Sequence, residues 1–111
     1  MTEDQLQCRL HDLLKVAAKP GVEWWAVYNN PRNAIDGARQ KAKGMKAGVF
    51  DMQFMYRGNP YFLELKTEKG KPSKAQLDFR DRMLNQGVPA IIAYGWDHAH
   101  NVLKFTWGLI R

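Results

Sequence analysis

The stretch GVFDMQFMYRGNPYFLELK, residues 48–66, decides the fold. Two apolar runs flank the turn formers Arg57-Gly58-Asn59-Pro60, so the sequence predicts strands over Val49–Tyr56 and Tyr61–Thr67 joined as a hairpin. Three charges interrupt the apolar pattern: Asp51 in the first run, Glu64 and Lys66 in the second. Side chains alternate across a strand with period two, which puts Glu64 and Lys66 on one face and Leu63 and Leu65 on the other. Asp51 falls on the neighbouring strand near Glu64. The pattern brings two carboxylates and an amine together, and the expected place is a sheet edge.

Helices and further strands surround the hairpin. Thr2 is a helix cap, followed by Glu3 and Asp4 at the positive end of the dipole. Leu6, Leu10, Leu13, Leu14 and Ala17 recur at helical spacing, and Lys19-Pro20-Gly21 ends that helix. Glu23 to Asn30 (EWWAVYNN) reads as a short strand centred on Trp24 to Tyr28. Residues 31–44 read as a loop, or a loop and a short basic helix that stops at Gly44. Ser73 opens a long helix with Gln76 at the capping-box position. Its apolar face is Leu77, Met83 and Leu84, with Phe79 or Arg80 between them. VPAIIAYG, residues 88–95, suits a strand buried on both faces. From Asp97 to Arg111 the pattern fits a helix or a strand equally. The expected fold class is α/β, a central mixed sheet flanked by helices, in one domain over residues 1–111.

Composition bounds the function. The chain is 45% hydrophobic, enough for a small core and too much for a disordered chain. A single cysteine, Cys8, excludes intrachain disulfides and cysteine-rich zinc sites and fits a reducing cytoplasm. No apolar run is long enough to span a bilayer, and the acidic, polar start is unlike a signal peptide. Seventeen basic against 11 acidic residues give a net charge of +6, which favours a polyanionic partner. The basic residues cluster: Arg32, Arg39, Lys41, Lys43 and Lys46 ahead of the hairpin, and Lys66, Lys69, Lys71 and Lys74 after its start.

Two carboxylates at close range repel unless a cation holds them or one is protonated. Oxygen ligands suit Mg2+ or Mn2+. A Lewis acid, a positioned water and positive charge are the parts that phosphodiester hydrolysis requires. The plainer reading is a surface ion pair on a half-exposed strand, with Asp51 capping a turn. Two His residues, His98 and His100, are more simply surface residues near a helix start than metal ligands. His11 fits a polar helix face, and Trp24 and Trp25 fit the core. Tyr28, Asn30 and Arg32 at the end of their strand are better placed for substrate contact.

The ordered set Asn29-Asn30 with Arg32, Gly48-Val49-Phe50-Asp51, Glu64-Leu65-Lys66 and Ser73 with Gln76 resembles the VRR-NUC family of the PD-(D/E)xK nuclease superfamily, in its small stand-alone phage-type form. The resemblance covers the chain from the first helix to Gly95. It implies a PD-(D/E)xK core and a Mg2+- or Mn2+-dependent endodeoxyribonuclease acting on branched DNA such as a Holliday junction. It also implies a homodimer, with no membrane partner, in the cytoplasm (of a bacterial host if phage-encoded). By position, Asp51 and Glu64 are metal ligands, the carbonyl of Leu65 completes them and Lys66 orients water. Glu3 is the acidic helix residue beside the metal, with Asp4 and Glu23 as rivals. Gln76 contacts the lysine or substrate, or serves only as a capping residue. Asn30, Arg32, Arg39, Lys41, Lys43, Lys46, Lys69, Lys71 and Lys74 meet the nucleic acid. Phe50 stands where the family has proline and is expected to point away from the metal face. The reading from a different class is a non-catalytic basic module that only binds nucleic acid.

Overall fold

The computed structural model describes residues 1–28 and 31–111. The hairpin forms β2 (Met52–Tyr56) and β3 (Asn59–Lys66), antiparallel, with Met52 opposite Leu63 and Tyr56 opposite Asn59. The loop is two residues, not four: Arg57 (φ 51°) and Gly58 (φ 79°) both lie in the left-handed region, the signature of a type I′ turn. Outside the hairpin, β1 (Glu23–Ala26) pairs antiparallel with β2, and β4 (Ala90–Tyr94) pairs parallel with β3. The sheet is mixed, with order β1-β2-β3-β4. The parallel pair requires a crossover, and α3 (Lys74–Asn85) provides it.

Each sheet face has its own core. On one side, Met52, Phe54, Leu63, Leu65 and Ala93 meet Leu6, Leu10 and Leu14 of α1 (Glu3–Ala17), together with residues of α4 (Gly95–Asn101) and the π-helical turn that follows it, Val102–Thr106. The tail expected as helix or strand is therefore mainly helix, and Ile110 alone adds a bridge to Ala18. On the other side, Phe50, Ala90 and Ile92 pack with Phe79 of α3. Leu84, expected on the apolar face of α3, is exposed, because Phe79 carries that contact with Leu77 and Met83 beside it.

Thr2 caps α1 and its capping box closes through Gln5. The uncertain basic segment is a helix, α2 (Ala34–Ala42), capped by Asn33 and followed by Gly44 at φ 99°. Among the described residues no helix is long and apolar enough to cross a membrane.

The first hairpin strand is shorter than expected. It starts at Met52, and residues 48–51 form a loop that presses on the start of α3. A Cβ at Gly48 (φ +85°) would overlap the backbone carbonyl of Ala75, whereas Gly44 has open space around it. Gly48→Ala should therefore cost at least about 2 kcal/mol, and Gly44→Ala only about 1 kcal/mol of left-handed strain. Urea unfolding of the two variants checks the contrast.

Candidate metal and phosphodiester site

Because β2 and β3 are antiparallel, Asp51 sits opposite Glu64 at the end of the two inner strands, and not at a sheet edge. The backbone fixes both acids. The Asp51 N–H donates to Glu64 Oε1 at 3.1 Å, and the Leu65 N–H donates to Asp51 Oδ2 at 3.2 Å. Glu64 and Lys66 are buried, 2% and 9% exposed, so they are not the solvent-facing pair of the plainer reading.

Two helices complete the cluster. Ser73 caps α3 by accepting from the Gln76 N–H at 3.1 Å, and Gln76 Oε1 accepts from the Ser73 N–H at 2.9 Å. The same side chain has an amide left over, and Gln76 Nε2 donates to Glu64 Oε2 at 3.0 Å. Gln76 thus caps α3 and also holds Glu64, and the lysine expected as its partner is not the group it contacts. From α1, Glu3 reaches to 3.9 Å of Lys66 Nζ, and Lys66 Nζ lies 3.5 Å from Glu64 Oε2. Oxygens of Glu3, Asp51 and Glu64 all lie within 4.8 Å of one another. Among the described residues this is the one such cluster, and it includes neither Asp4 nor Glu23, nor either of His98 and His100. His98 instead accepts the Tyr94 N–H on Nδ1 at 3.0 Å, which serves the start of α4.

No family model matches the sequence, and no curated protein matches it. Solved structures do. One named "VRR_NUC domain protein" superposes with a TM-score of 0.78 at 22% identity, over 98% of this chain and 90% of its own. Another, named "VRR_NUC domain", gives 0.67 at 17% identity over 93% and 95%. The chain has the VRR_NUC fold.

Phe50 is fully buried with its ring 5.0 Å from Phe79. It lies before the strand begins, so strand alternation does not place it. Apolar packing anchors the loop there in place of a rigid ring.

A cleft of about 610 Å³ lies between α2, the 45–49 loop and the start of α3, with Asp51, Glu64 and Gln76 in its wall. Lys41 and Lys46 line it. Arg39 and Lys43 belong to the same exposed helix end without lining the cleft. Lys69 and Lys71 follow β3 in an exposed loop. Two expected contacts are already paired: Arg32 lies 3.7 Å from Asp36, and Lys74 2.9 Å from Asp78. Asn30, with Asn29, falls outside the described residues. The sequence does not single out Gln40, which lines the cleft with its Oε1 buried and without a hydrogen-bond partner among the described residues. No motif marks it, since a glutamine in a basic helix reads as surface.

Burial pushes the Glu64 carboxyl up to about 8, and the neighbouring Asp51 charge adds to the rise while Lys66 opposes it. Burial also raises Asp51, against the lowering effect of the Leu65 N–H. A raised carboxyl holds a proton in the folded state that the unfolded chain releases. Its contribution is complete below the unfolded value of 4.5 and is lost as pH rises through about 8. The metal-free melting temperature should therefore fall across that window, and Glu64→Gln should flatten the fall. Differential scanning fluorimetry in chelator across the pH range checks both.

Proposed function

We propose that the chain is a VRR-NUC nuclease, a Mg2+- or Mn2+-dependent DNA endonuclease that hydrolyses phosphodiester bonds. The observation that carries this reading is the cluster of Glu3, Asp51 and Glu64 with Lys66 beside it. Its donors are hard oxygens, and two of the acids are held together in partial burial, where a divalent ion offsets their repulsion. Asp51, Glu64 and Glu3 would hold the ion, with the carbonyl of Leu65 next to them in the chain. When bound, the ion supplies Lewis acidity toward the phosphate and the attacking water.

The chain's own residues do the rest. Lys66 holds and orients the attacking water and offsets charge on the phosphate. Water forms a bond to phosphorus, the bond to the 3′ oxygen breaks, and a 5′-phosphate remains. Gln76 is a positioning residue that fixes the Glu64 carboxylate. Lys41 and Lys46 in the cleft, with Arg39, Lys43, Lys69 and Lys71 around it, position the backbone without reading sequence. Arg32 and Lys74 join them on exchanging their carboxylate partners for phosphate. We extend the reading to branched DNA, to a single domain working as a homodimer whose two sites make two related cuts, and to the cytoplasm.

With Mg2+ or Mn2+, the purified protein should cut four-way junctions or flaps. Asp51→Asn and Lys66→Ala should each lower kcat about a thousandfold or more with DNA binding retained. Absence of cutting on every DNA tested, with salt-dependent binding intact, would leave only the non-catalytic binding module. Gln76→Ala gives a graded test. It should lower Mn2+ affinity or activity about 10- to 100-fold and cost about 1 kcal/mol from the cap, read by calorimetry and by thermal melting.

A further inference from the structure

A second groove, of about 420 Å³, opens between α1 and the edge strand β1. Its walls include Asp4, Gln7, His11, Trp24, Trp25 and Met52. Two of its wall residues adjoin the clustered acids in the chain, since Asp4 follows Glu3 and Met52 follows Asp51. Its chemistry is the reverse of the first cleft. Among the described residues no lysine or arginine lines it, and the Asp4 carboxylate is its one charge. Its aromatic wall is built and fixed. The Trp24 indole N–H donates to His11 Nδ1 at 3.0 Å, and the two rings meet edge to face at 6.0 Å. That bond leaves the His11 Nε2 as the ring's second polar atom. Trp25 is 43% exposed on the edge strand.

Such a groove does not suit a phosphate, which Asp4 would repel. It suits a flat, uncharged ring with exocyclic amines: aromatic faces stack on it, and a carboxylate accepts from an amine. The volume is also within the range of about 300–1,000 Å³ typical of small-molecule sites. We propose that this groove takes an unpaired nucleobase of the strand being cut, next to the scissile phosphate. The inference rests on the nuclease reading and narrows it. The basic cleft follows the backbone, the aromatic groove takes the base, and the substrate class is DNA with an unpaired nucleotide at the cut, such as a flap or gap.

Flap substrates with an abasic residue placed on either side of the cut test this directly. Loss of the base at one of these positions should lower wild-type kcat/KM about tenfold. The variant His11→Ala, which keeps Trp24 against the core, should lose part of that factor on the complete flap and nothing further on the abasic one. Circular dichroism checks that the variant is folded. Equal cutting of complete and abasic flaps by the wild type would overturn the proposal. So would an equal loss by the variant on both, and a change in its mass in solution would then assign the groove to a second copy of the chain. Should the wild type cut no DNA at all, the nuclease reading fails separately. Quenching of tryptophan fluorescence by single strands with and without the base then decides the groove: quenching that needs the base supports it, and equal quenching overturns it.

Discussion

The structure turns on a reciprocal pair of hydrogen bonds between two acids. Asp51 gives its backbone N–H to Glu64, and the next peptide after Glu64 gives its N–H to Asp51. Each carboxylate is held by the other strand, so neither can swing away to relieve its neighbour's charge. Burial first, and then the Asp51 charge, raise the Glu64 carboxyl in that arrangement. A sheet offers few places for such a pair. Deeper between the strands the acids would be dry, and at an outer edge they would be free to hydrate. The end of the inner strands gives burial with one open side.

The helices are arranged around that end. The first turn of α1 brings Glu3, and the first turn of α3 brings Gln76. In both cases a capped helix start points at the acids. At α3 one glutamine side chain closes the cap with its oxygen and holds Glu64 with its nitrogen, so helix start and acid orientation are mechanically linked. The close approach of Gly48 to Ala75 ties the loop carrying Asp51 to the same helix end.

Much of this was legible in the sequence, because the signals were local. The hairpin, the caps at Thr2 and Ser73, and the alternation of Glu64 and Lys66 all follow from spacing and turn chemistry, while the basic segment before Gly44 leaves loop and helix both open. Long-range information was missing. Nothing in residues 48–51 reveals that a helix backbone lies against Gly48, so the strand was read three residues too long. Nor does strand alternation say which strands lie inside a sheet, hence the expectation of an exposed edge. The tail is ambiguous because Val102 and Leu103 are buried from a π-helical turn and Leu109 and Ile110 from the irregular segment after it, a pattern that no single regular period gives. Of the two tryptophans expected in the core, Trp24 packs there and also forms a wall through its bond to His11, whereas Trp25, next along the edge strand, is exposed.

The two-residue turn at Arg57-Gly58 lies at the far end of the hairpin from the acids. It nevertheless decides which face Glu64 occupies, since a one-residue slip in pairing would send that side chain into the leucine core on the opposite side. The loop tip is exposed, and a Cβ at Gly58 would meet nothing. Residue length there is nevertheless as constrained as residue identity at the acids. In evolutionary terms, the tip is held to residues that tolerate a left-handed backbone and is closed to single insertions, so lineages of this chain should diverge less at this turn than its exposure suggests.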